Sequence, residues 1–208
     1  MKKLVLFVGL YLGLTGATFA ATGDAEAGKE KSQVCAACHG PTGSSPSDMY
    51  PKLNGQHASY LAKQLHDYKL AAETGGEEGR ANAIMQGQVA SLSDQDIADL
   101  AAYFASQDPM QDVAPEDVVE PGQEFYLGGD EERGITACVA CHGPRGDGMA
   151  LAVFPDISGQ HPAYLKTQLE MFRSGERAND MNGMMRDIAA KLTDEDIELL
   201  SQYMSGLY

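Results

Sequence analysis

Apolar positions recur with helical spacing in two corresponding stretches of this chain. Ile97, Leu100, Ala101 and Phe104 line one face of the first, and Ile197, Leu200 and Met204 line the second. Each stretch opens on a helix-start pattern, Ser93-Asp94-Gln95-Asp96 or Thr193-Asp194-Glu195-Asp196. A hydroxyl there can accept from free backbone N–H groups, and acids in the first turn meet the positive end of the helix dipole. A middle helix is expected after each Gly-Gln-His. It carries Tyr60, Leu61, Gln64, Leu65 and Tyr68 in one half, and Tyr164, Leu165, Gln168, Leu169 and Phe172 in the other. A first helix is predicted ahead of each cysteine pair, over about residues 24–34 and again over about 123–127. No stretch alternates convincingly with the two-residue period of a strand. The pattern therefore predicts an all-α chain with long connections.

The elements recur in one order because the sequence itself repeats. CAACHGPTG (35–43) matches CVACHGPRG (138–146), and YPKLNGQHASYLAKQL (50–65) matches FPDISGQHPAYLKTQL (154–169). RAN occurs at 80–82 and 177–179, and MQGQVASLSDQDI (85–97) matches MRDIAAKLTDEDI (185–197). Two copies of one domain are expected, at 21–108 and 122–208, with a linker at 109–121. The join DPMQDVAPEDVVEP (108–121) holds three prolines and five acids against no base, which predicts an extended, solvated segment. Domains of roughly 90 residues have small cores and gain from a staple or a cofactor.

The N-terminus reads as an export signal over residues 1–20. Lys2 and Lys3 precede an apolar run from Leu4 to Gly16, and Thr18-Phe19-Ala20 supplies small residues at a cleavage position. An uncleaved anchor is the alternative, but the run is short for a membrane span. Export from a bacterial cell implies the periplasm, an oxidising compartment in which four free cysteines would be unexpected. The formal net charge is −15 for all 208 residues, which argues against non-specific nucleic-acid binding. The acidity is uneven: side chains sum to −6 from Asp24 to Asp108 and to −11 from Met110 to Tyr208. Such a surface suits a partner with a basic docking patch.

The chain's four cysteines all lie in the two repeated frames, as Cys35, Cys38, Cys138 and Cys141. Each pair is followed directly by His39 or His142. Thiols three positions apart on a helical turn can add to the two vinyl groups of one haem, and the next residue then presents an imidazole to the iron. C-x-x-C-H is thus the attachment signature of covalent haem. A thioredoxin-like redox pair would need a βαβ setting. A zinc site would need a fourth ligand in each half. A plain disulfide leaves the histidines unexplained. Two covalently bound haem c groups are expected.

The second axial ligand decides between electron transfer and chemistry at an open iron. Met85 lies twelve residues before Ile97, and Met185 twelve before Ile197, so both are candidates. Met181 and Met184 stand close to Met185 and remain alternatives. His57 and His161, in the repeated Gly-Gln-His, are rivals; capping the middle helix or bonding a haem propionate is the preferred reading for them. Pro51 and Pro155 follow the histidines by twelve and thirteen residues, so a carbonyl there could accept the Nδ1–H of His39 or His142. Tyr60 and Tyr164 are candidates for a propionate, the domain seam or the core.

Together, CHGP, the P-x-x-x-GQH-x-x-Y-L-x-x-Q-L run and the M-x-x-[VI]-A-x-x-L-[ST]-D-x-D-I run resemble dihaem cytochrome c4, with two class I cytochrome c domains in tandem. The resemblance covers nearly all of the chain after residue 20. It implies two haems with histidine and methionine ligands: Cys35 and Cys38 with His39 and Met85, and Cys138 and Cys141 with His142 and Met185. It also implies domains related by an approximate two-fold axis, with propionates near the seam. The expected function is electron carriage from a membrane-bound cytochrome bc complex to a terminal cytochrome oxidase, with possible peripheral membrane association. The other classes weighed are a cytochrome subunit of a flavocytochrome c sulfide dehydrogenase and a peroxidase. No nucleophile–base pair suggests catalysis. AETGGEEG (72–79) faces only SGE (174–176), a departure near the methionine loops.

Overall fold

The computed structural model describes residues 22–109 and 112–207, so the expected signal peptide lies outside the described residues. The chain is all-α. The first half runs α1 (Ala25–Lys31), α2 (Gln33–His39), α3 (Ala58–Glu73), α4 (Ala83–Val89) and α5 (Asp94–Ala105). The second runs α6 (Glu116–Gly128), α7 (Val139–His142), α8 (Pro162–Ser174), α9 (Met184–Ala189) and α10 (Asp194–Ser205). Among the described residues the only β-type pairing is two isolated bridges, Asp130 with Ile135 and Met149 with Phe154. None of the described helices is long and apolar enough to cross a membrane.

The last helix of each half starts as its sequence predicts. Ser93 and Thr193 accept from the N–H of Asp96 and Asp196, and those aspartates accept in return from the cap N–H, closing a capping box at both sites. The apolar faces then go inward. Ile97 and Ile197 are fully buried, and Leu100 and Leu200 nearly so. Leu61, Leu100, Ala101, Tyr103 and Phe104 form the first core; Tyr126, Leu165, Leu169, Ile197, Leu200, Tyr203 and Met204 anchor the second.

In each half the first helix crosses the last at a glycine. A Cβ on Gly28 would lie 2.0 Å from the Asp99 carbonyl oxygen, and one on Gly122 would lie 2.5 Å from Tyr203 Cβ. Only hydrogen fits at these crossings. The buried tyrosines of the crossing also hold the cysteine-bearing turns: Tyr103 donates to the Pro41 carbonyl at 2.9 Å and Tyr126 to the Gly143 carbonyl at 2.7 Å.

Two expectations need correction. The stretch 109–121 is not extended throughout, because α6 already begins at Glu116 and contains Pro121. Glu116 and Asp117 favour a helix N-terminus. Val118, Gly122 and Tyr126 share a face that packs inward, a pattern too sparse to stand out among three prolines. The first helix over 24–34 is in fact two helices. They break at Ser32, whose hydroxyl donates to the Lys29 carbonyl, so α2 sets off with its own direction.

Candidate haem site

A cavity of about 840 Å³ takes its walls from both halves. Cys35, Cys38, His39 and Met85 line it on one side, and Cys138, Cys141, His142 and Met185 on the other. All eight residues expected from the sequence therefore face one continuous space. Its remaining walls are largely apolar, with Leu61, Leu100 and Phe104 in the first half and Leu165, Leu200 and Met204 in the second.

The turns that carry the cysteines set the local geometry. In α2, and at the start of α7, where Cys138 is the N-cap, the two cysteines of each pair are three positions apart, and all four are partly buried. His39 and His142 close their turns and are buried. The Nδ1 of His39 lies 2.8 Å from the Pro51 carbonyl, and that of His142 lies 3.0 Å from the Pro155 carbonyl. A carbonyl can only accept, so Nδ1 carries the proton and Nε2 keeps its lone pair. Burial lowers both imidazole pKa values, and the carbonyls raise them only in part. The rings are thus held neutral and oriented, as a metal ligand requires.

Met85 lies on α4 and Met185 on α9. Each stands four residues before a residue buried at the helix underside, Val89 or Ala189. Met181 and Met184 line the same cavity, but Met181 is exposed.

His57 and His161 do something the sequence did not suggest. Neither caps its helix through the side chain, and neither lines the cavity. The Nε2 of His57 meets the Asp147 carbonyl at 2.8 Å, and that of His161 meets the Ser45 carbonyl at 3.2 Å, each across the domain seam. The neighbouring glutamines do likewise. Gln56 pairs with the backbone N–H and C=O of Asp156 at 3.0 and 2.7 Å, and Gln160 with those of Lys52 at 2.9 and 2.9 Å. Each contact has a counterpart with the halves exchanged, the mark of a two-fold relation.

The seam also buries Arg80 and Arg177. Arg80 donates to Gln64, Gln168 and the Tyr164 hydroxyl; Arg177 donates to Gln168, Gln64, Asn179 and the Tyr60 hydroxyl. Their guanidinium groups stack 4.9 Å over Tyr68 and 4.5 Å over Phe172. Neither meets a carboxylate among the described residues, though both border the cavity. Burying a cation without an anion is costly. These two arginines were missed in the sequence; the repeated RAN was their one visible signal.

Paired thiols, a neutral imidazole, a thioether, apolar walls and two arginines without anions together fit a haem with its carboxylate arms. Comparison with known proteins decides the family. The sequence model of the cytochrome c family matches residues 25–108 and again 119–207. Cytochrome c4 of Azotobacter vinelandii is 46% identical over 211 residues, covering 100% of both chains. The chain belongs to the dihaem cytochrome c4 family. The reduced recombinant cytochrome c4 from Pseudomonas stutzeri superposes with a TM-score of 0.87 at 46% identity, covering 90% of this chain and 100% of that one. A more distant relative, the thiosulfate dehydrogenase electron acceptor of Thiomonas intermedia, is 33% identical over 95% of this chain and 89% of its own length. Like other cytochromes c4, this chain is a dihaem electron carrier, and its cofactors are two covalently bound haem c groups.

Proposed function

We propose that Cys35 and Cys38 attach the first haem, with His39 and Met85 as iron ligands, and that Cys138 and Cys141 attach the second, with His142 and Met185. The carrying observation is the carbonyl held against Nδ1 of each histidine, which leaves Nε2 free toward the cavity in both halves. The shared placement of Met85 and Met185, four residues before a fully buried position, supports them over Met184 and Met181. When bound, each haem supplies a one-electron iron couple. The chain's cysteines would tether it through sulfur, its histidine and methionine would ligate the iron, and the apolar walls would keep water away.

In this reading the protein works in the periplasm and carries electrons from a membrane-bound cytochrome bc complex to a terminal cytochrome oxidase. Its acidic surface favours partners with basic docking faces. The Thiomonas relative supports a second reading, in which the donor is a thiosulfate-oxidising enzyme. Purification from the native host, followed by reduction assays with quinol-driven membranes and with thiosulfate dehydrogenase, separates the two. Haem counting and near-infrared spectra test the site. Wild type gives two haems per chain, both with an Fe–S(Met) charge-transfer band. Met85→Ala loses half of that band's intensity, and so does Met185→Ala. An undiminished band in either variant assigns that ligand elsewhere.

A further inference from the structure

Across the two-fold relation Gln64 and Arg80 of the cavity wall correspond to Gln168 and Arg177, and at one pair of wall positions the charge is reversed. The residue after the proline whose carbonyl holds the histidine ring is Lys52 in the first half and Asp156 in the second. Both border the cavity. Lys52 is 6% exposed; its ammonium reaches across the domain seam, donating to the Gly159 carbonyl of the second half at 2.6 Å and to Asp112 at 3.2 Å. The Asp112 side chain is 43% exposed, so water shares in solvating it and it offsets the Lys52 charge incompletely. Asp156 is partly buried. Its Oδ1 accepts from the Ser158 N–H at 2.8 Å and the Ser158 hydroxyl at 2.6 Å, and among the described residues no lysine or arginine pairs with it.

A charge held in a low-dielectric wall changes the free energy of adding an electron nearby. A cation favours the reduced form and an anion opposes it. Resting on the haem attachment proposed above, we infer that the Lys52/Asp156 reversal orders the two haem potentials. The N-terminal haem holds the electron more tightly, and the C-terminal haem gives it up first. Side chains sum to −6 over residues 21–108 and to −7 over 122–208, so overall domain charge differs little, and salt screens its exposed part. The buried pair is screened much less, so its share of the potential difference persists at high ionic strength.

Spectroelectrochemical titration of the full dihaem chain tests this, with each haem assigned by the NMR shifts of its ring methyls. Asp156→Asn removes the charge and keeps the shape. It is expected to raise the C-terminal potential relative to the N-terminal one, changing the sharing of a single electron between the haems by about tenfold, about 59 mV for a one-electron couple. The change is expected at low and high salt alike. Lys52→Met is expected to lower the N-terminal potential, and the double exchange Lys52→Asp with Asp156→Lys to invert the order. If Lys52 variants fail to fold, Asp156→Asn alone carries the test. An unchanged separation in Asp156→Asn, an equal shift of both haems, or a shift that vanishes in salt overturns the inference and leaves the haem sites standing. Fewer than two haems in the wild-type chain overturns the sites and the inference together.

Discussion

At Asp99 three donors converge on one buried carboxylate: the Lys31 ammonium, the Asp24 N–H and the Gln95 amide, at 2.5, 2.9 and 2.8 Å. The Lys31 bond is the largest cause holding the Asp99 pKa down to about 2. A carboxylate whose folded pKa is depressed adds stability that is present above its unfolded value, near 4, and is lost as pH falls toward 2. Acid titration of N-terminal domain unfolding should show that loss between about pH 4 and 2, and Asp99→Asn should flatten it. A wild-type slope retained by the variant would assign the acid sensitivity to other groups. None of this was visible in the sequence, because Lys31 and Asp99 are 68 positions apart and meet only where α1 crosses α5. His39 and His142, by contrast, were legible because attachment chemistry demands a fixed local spacing.

Helix starts and crossings give predictions at the scale of elements. Removing the capping hydroxyl in Ser93→Ala or Thr193→Ala should cost about 1 kcal/mol in the stability of the affected domain, measured by denaturant unfolding. Glycines should divide by environment. Gly28→Ala drives a methyl into the Asp99 carbonyl, and overpacking of that kind costs about 1–3 kcal/mol. At Gly87, within α4, a Cβ would meet no atom within 4 Å, so Gly87→Ala should gain up to about 1 kcal/mol of helix propensity. Opposite signs in thermal midpoint are the expected result; two destabilised variants would show that α4 needs its glycine for another reason. The helix starts at Ser93 and Thr193 were readable because caps act through adjacent residues. The start of α6 was not, since Pro115 and Pro121 mask a helix whose stability comes from packing Gly122 and Tyr126 against its neighbours.

At the scale of the molecule, the two domains are joined by side chains that bond to the partner's backbone. Gln160 satisfies both the N–H and the C=O of Lys52 in a buried setting. Gln160→Ala leaves both without that partner, at about 1–3 kcal/mol for a buried polar group left unpaired. Calorimetry should then resolve two unfolding transitions where the wild type shows one. A single transition at an unchanged midpoint would mean that the arginine network between the domains, around Arg80 and Arg177, suffices to couple them.

The sequence by itself determined the repeat, the helical class, the covalent haem frame and the eight residues that line the cavity as candidates to hold the haems, because each depends on short-range spacing or on covalent chemistry. Only the tertiary structure decided how the halves meet. It turned the Gly-Gln-His motif from an expected helix cap into a reciprocal clamp, and it placed two arginines without anions beside the cavity. It also set Lys52 and Asp156 at corresponding wall positions with opposite charge. Contacts between residues about a hundred positions apart leave no local pattern. They exist because folding brings two similar surfaces face to face, and burial then favours arrangements in which most polar groups there find a partner.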